Sequence, residues 1–119
     1  MPFKTILTQV VEAVPGASGA ILADWEGESV EQYCHYDPFE LKVTAAHAGI
    51  ILSNLKEALV SSHVGLLKDA VLTTKTQYII IGAIGPDYTM VMTLNRCALL
   101  GPALHKFRIA IQKMHEEIY

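Results

Sequence analysis

"QYIIIGAIGPDYTMVMTL", Gln77 to Leu94, decides the architecture. Its first half, Tyr78-Ile79-Ile80-Ile81-Gly82-Ala83-Ile84, shows no alternation of apolar and polar residues. A strand made of it is apolar on both faces, so it lies deep in a sheet with cover on each side. Gly85-Pro86-Asp87 punctuates the stretch as a turn, and Tyr88–Leu94 reads as a second strand. A hairpin makes the pair antiparallel.

Working outward, Thr74-Lys75-Thr76 is the preceding turn and Leu66–Thr73 a further strand. After the stretch, a helix begins near Pro102, with Leu104, Phe107, Ile111, Met114 and Ile118 in one stripe beside Ala103 and Ala110. Upstream, Asp37 suits a helix cap, Pro38 the first helical position, and Glu40 the acid of a capping box. The long helix they open runs to about Ser62, with Gly65 as its stop. Earlier still, "GAILADWEGESVEQYC" (Gly19–Cys34) predicts a strand over Ala17–Ala23 and another over Ser29–Tyr36. Asp24-Trp25-Glu26-Gly27 joins them, Gly27 supplying the positive φ of the turn. Phe3, Ile6, Leu7, Val10, Val11 and Val14 form the apolar face of a first helix, ended by Pro15-Gly16. The order is α-β-β-α-β-β-β-α. It describes an α+β sandwich, a five-stranded antiparallel sheet flanked by helices, expected to form one domain over residues 1–119.

Composition narrows the function classes. Hydrophobic residues make up 51% and charged residues 18%, which excludes a disordered chain. A net charge of −3, with Lys and Arg scattered singly, argues against nucleic acid as a partner. No segment reads as a signal peptide or a membrane span, and Cys34 and Cys97 make no disulfide framework, so a cytoplasmic protein is expected.

The middle helix has two apolar faces. Leu41, Ala45, Ala48, Leu52, Leu55 and Leu59, flanked by Ile51 and Ala58, form the stripe expected to pack on the sheet. Val43, Ala46 and Ile50 lie nearly opposite, with Gly49 close by. A second apolar face on a sheet-packed helix predicts contact with another chain, and small Ala46 permits a close approach. Trp25 raises a parallel question. A large ring in an acidic turn either folds back on its own protein, its N–H finding a carbonyl, or anchors a partner.

Catalytic chemistry is not legible. Cys34 and His35 are strand neighbours pointing to opposite faces, so neither activates the other. His47 and Asn54 lie on a polar flank of the helix. His105 and His115 diverge on theirs, and no HxxxH, HxH or CxxC spacing occurs. Surface histidines and buried structural cysteines account for these residues. Gly16-Ala17-Ser18-Gly19 lacks the GK[ST] of a phosphate loop, and Gly82–Gly85 has no basic neighbours to clamp a nucleic acid. No catalytic residue, metal ligand or cofactor site is assigned, and an enzyme is not expected.

The whole pattern resembles the roadblock family, the small domains related to dynein light-chain roadblock and to bacterial MglB. The resemblance rests on "FKTILTQVVEAVPGASGAILAD", the acidic turn to Gly27, the long helix followed by Gly65-Leu66, "YIIIGAIG", and "LNRCALLGPALHKFRIAIQKM". It implies a five-stranded antiparallel sheet with the long helix on one side and the terminal helices on the other. It also implies homodimers or heterodimers in which central helices and a sheet edge meet, with Val43, Ala46 and Ile50 at the seam and the third strand pairing across it. Family members regulate or scaffold small Ras-like GTPases, or serve as light chains in motor complexes. MglB-like dimers stimulate GTP hydrolysis by positioning the GTPase's own switch elements. Where GTPase-activating relatives commonly carry a C-terminal extension, this sequence stops at Tyr119, so GTPase binding is a firmer expectation than activation. The expected partners are a second copy or a paralogue and a small Ras-like GTPase. A structural light-chain adaptor is the alternative, and a small-molecule sensor a third that lacks a convergent polar cluster.

Overall fold

Three hairpins and one long-range pairing build the sheet. The computed structural model describes residues 2–60 and 65–119. In chain order its elements are α1 (Pro2–Ala13), β1 (Ala17–Asp24), β2 (Ser29–Cys34), α2 (Pro38–Leu59), β3 (Asp69–Thr73), β4 (Gln77–Ile84), β5 (Tyr88–Asn95) and α3 (Leu100–Ile118). The strand order is β2-β1-β5-β4-β3, every neighbour antiparallel. The pairing of β1 with β5 joins distant segments and carries no local sequence signal. It places β1, β5 and β4 inside and leaves β2 and β3 as edges. α2 therefore carries the chain from one edge of the sheet to the other.

Each face has its own core. α1 and α3 cover one face, where Leu7, Leu22, Ile80, Ile84, Met90, Met92, Leu94, Phe107 and Met114 are almost fully buried. α2 covers the other, with Leu41, Ala45, Ala48 and Leu52 against Ile21, Ile79, Ile81 and Val91. Ile79 and Ile81 face α2 while Ile80 faces α3, the two-sided burial expected of an unalternating strand. Gly82 has a specific reason to be glycine. A Cβ there would meet Phe107 at 2.8 Å and Ile111 at 2.9 Å, so the bare backbone lets α3 lie close on β4.

Local signals explain most boundaries. Asp37 accepts a hydrogen bond from the Phe39 N–H at 3.0 Å, with Pro38 opening α2. Gly27 has φ +88°, as the β1–β2 turn requires. β3 starts at Asp69 instead of Leu66. The register that sets Asp69 against Gly82 would bring Leu66 opposite Gly85, already inside the next turn at φ +59°. β2 stops at Cys34 instead of Tyr36, because the chain turns there into the Asp37 cap. α3 begins at Leu100, not near Pro102. Pro102 is tolerated in the first turn, where N–H groups have no intrahelical partner. The expected extension of α2 to about Ser62 lies outside the described residues.

Candidate functional site

Val43 and Ile50 are exposed on the side of α2 away from the sheet, at 40% and 59%, and Ala46 is half-buried between that side and Gly27. The stripe expected to face the sheet is narrower than its periodicity suggests. Leu41, Ala45, Ala48 and Leu52 are buried, but Ile51, Leu55 and Ala58 are exposed and Leu59 only half-buried. One helix cannot roof the full width of a five-stranded sheet, so its flank stands clear. That flank has a known direction. Glu40 and Thr44 line a pocket with Thr76 of the β3–β4 turn and Gln77 at the start of β4. Ile51 and Leu55 recur with Thr44 at helical spacing and so point toward the β3 side.

Beside this flank lies an open sheet edge. The Ala83 N–H donates to the Lys68 C=O at 3.0 Å and the Thr74 N–H to the Gln77 C=O at 2.9 Å. In an antiparallel ladder the hydrogen-bonded pairs alternate, so Ala70 and Leu72 direct their backbone groups inward to β4. Asp69, Val71 and Thr73 direct theirs outward, and nothing among the described residues covers them. Their side chains face α3, where Arg108 holds Asp69 through Nε at 2.9 Å and Nη2 at 3.1 Å. That fork raises the Arg108 pKa and keeps the guanidinium charged.

Trp25 folds back on its own protein. The ring is half-buried against the core beneath α2, with Lys56 Nζ 4.4 Å from its centroid. Its Nε1 is buried and, contrary to expectation, has no hydrogen-bond partner among the described residues. Asp24 accepts the N–H groups of Glu26 and Glu28 and so closes the turn.

The remaining chemistry-bearing residues disperse. Cys34 faces α2 and His35 faces α1, where Nε2 lies 2.9 Å from Glu12 Oε1. Tyr33 donates to the same carboxylate, and Tyr33 first, then His35, holds the Glu12 pKa below its ordinary value. His47, His105 and His115 are exposed, and His63 lies outside the described residues. Neither cysteine is fully buried: Cys34 is half-buried and Cys97 exposed. No group of three or more potential metal ligands occurs among the described residues. No described helix is long and apolar enough to cross a membrane.

One polar cluster escaped the sequence. Ser18 Oγ lies 2.8 Å and Tyr36 Oη 3.3 Å from the buried Thr93 Oγ1. Burial is the main cause of a raised Tyr36 pKa. Ser18 and Tyr36 also floor the pocket of about 390 Å³ that Glu40, Thr44 and Gln77 border. Three strands and a loop meet there through the β1–β5 pairing, which no spacing along the chain announces.

No family model and no curated protein matches the sequence. Solved structures do match the fold. A Roadblock/LC7 domain from Streptomyces avermitilis superposes with a TM-score of 0.87 at 16% identity, covering 97% of this chain and 96% of that one. The fold is that of a roadblock domain. MglB from Myxococcus xanthus superposes at 0.88 with 8% identity over 99% and 95% of the two chains. MglC from the same organism gives 0.73 with 23% identity over 98% and 99%. The roadblock fold is thus retained with little sequence in common, as expected where layer order and burial, not a motif, define the architecture.

Proposed function

We propose that this roadblock domain is a non-enzymatic, dimeric adaptor that pairs through β3 and α2 and holds a small Ras-like GTPase. The observation that carries the pairing is the continuity of two unsatisfied surfaces. The outward backbone groups of Asp69, Val71 and Thr73 lie beside the exposed flank of Ile51 and Leu55, with Val43 and Ile50 on the adjoining face and Ala46 turned toward Gly27. An open strand edge and an exposed apolar helix flank are each costly in water and are covered together by a second copy or a paralogue. Antiparallel pairing of Val71 with its counterpart continues the sheet across a two-fold axis, an isologous contact.

The GTPase follows from the resemblance of the sequence to roadblock regulators. Such a dimer acts by presenting a preformed surface, so its effect on hydrolysis is one of positioning. Trp25 packs on its own core with one part of the ring, and the part that stays exposed at the β1–β2 turn is the candidate contact for that partner. The test is capture of Ras-like GTPases on the immobilised protein, in parallel with excess GDP and a non-hydrolysable GTP analogue. Retention mainly in the triphosphate state supports the regulator. Equal retention of other proteins in both states, with no GTPase among them, identifies a structural adaptor instead.

A further inference from the structure

The two edges of the sheet are not alike. At β2 the His35 N–H donates to the Ser18 C=O at 2.8 Å, which fixes the alternation along the β1–β2 ladder. Glu31, Tyr33 and His35 direct their backbone groups inward, and Gln32 and Cys34 direct theirs outward. At Gln32 both outward groups are already taken. Its N–H donates to Glu31 Oε1 at 3.1 Å, and its C=O accepts from the Lys4 ammonium on α1. Lys4 Nζ and Glu31 Oε1 are themselves 3.7 Å apart, so the three residues form a closed clip over the edge. Glu12, bonded to Tyr33 and His35, holds the same helix against the same strand. At β3, by contrast, no side chain among the described residues reaches the outward backbone groups.

We propose that β2 is a second self-pairing edge, held closed by the Lys4–Glu31 clip, and that α1 thereby limits how many copies of this chain join edge to edge. The occupant of an opened edge is a second copy in antiparallel register. Gln32 can exchange both of its outward hydrogen bonds with its own counterpart. Glu31 would then face Tyr33 of the other copy, so no like charges stand opposite, and the irregularity at Val30 ends the regular pairing on that side. Exposed strand edges that lack such blocking charges pair readily, which is why closing one of two edges separates a finite assembly from a growing one.

The test is light-scattering mass against concentration for the full chain and for the Lys4→Ala/Glu31→Ala variant, with circular dichroism confirming the fold. The expected result is a plateau for wild type and, for the variant, a mass that rises about twofold or more above it. Adding Gln32→Pro, which removes an outward N–H and is tolerated on an edge, should restore the wild-type plateau. A folded variant that keeps the wild-type mass overturns the proposal. So does growth that persists with Gln32→Pro. For a variant that does not fold, Lys4→Gln alone provides the same comparison with the helix stem retained. The wild-type plateau itself reports the β3 pairing, so failure of one reading is distinct from failure of the other.

Discussion

Lys56 Nζ sits 4.4 Å from the centroid of the Trp25 ring, pinning the β1–β2 turn to the last part of α2. The large apolar residue in an acidic turn thus has a structural role. Between Asp24 and Glu26 the ring turns inward, and a lysine covers the π-face that solvent would otherwise reach. Trp25→Ala should lower stability by about 1–2 kcal/mol, since the burial of about half of a large ring is lost. Urea unfolding followed by circular dichroism measures it, and a loss below about 0.5 kcal/mol would show that the ring is not packed.

Glycines at two positions should respond with opposite sign. Gly82→Ala places a methyl group within 3 Å of Phe107 and Ile111, both held between α3 and the sheet, and should destabilise by about 1–3 kcal/mol. Gly49→Ala meets nothing within 4 Å in the interior of α2 and should stabilise the isolated chain by about 0.5–1 kcal/mol. Thermal unfolding of the pair checks both, and a Gly82→Ala variant as stable as wild type would contradict the close packing of α3 on β4.

The Glu12 contact makes the α1–β2 attachment acid-sensitive. Its pKa lies below the ordinary 4.5, so the contact contributes stability above that value and loses it as pH falls through the lowered one. Glu12→Gln should therefore reduce the melting temperature near neutral pH, and the difference should shrink as pH falls below 4.5 toward the lowered value. A gap that stays constant down to strong acid would show that the carboxylate charge is irrelevant.

Thr93 is fully buried and bonded by hydroxyls from two other segments. Thr93→Val keeps the shape but removes the hydroxyl that Tyr36 bonds, while Ser18 retains its bond to the Thr93 C=O at 3.2 Å, so the expected loss is about 1 kcal/mol. Thr93→Ser, which retains the hydroxyl, should recover part of it. No loss in Thr93→Val beside a loss in Thr93→Ser would assign the role of Thr93 to packing alone.

What the chain discloses follows the range of each interaction. Turn and cap signals act within a few residues, so Gly27, Asp37 and Pro38 placed their elements correctly. Burial periodicity identified β4 because Ile79, Ile80 and Ile81 leave no exposed face. It overestimated the contact face of α2, since periodicity cannot tell a residue roofed by sheet from one overhanging its edge. Leu55 and Ile51 are the result, and they enlarge the exposed surface beyond Val43, Ala46 and Ile50. The Ser18–Tyr36–Thr93 cluster and the clip on β2 depend on tertiary pairing and were not legible.

The central claim is that the chain pairs through β3 and α2. Sedimentation equilibrium of the wild-type chain beside Val71→Pro and Ile51→Asp tests it most directly. Val71→Pro removes an outward N–H at the middle of the edge, and Ile51→Asp puts a charge on the overhanging flank. The account predicts a wild-type mass of two chains and a single-chain mass for each folded variant. A wild type that stays a single chain at the highest concentration, or variants that keep the two-chain mass, would contradict it.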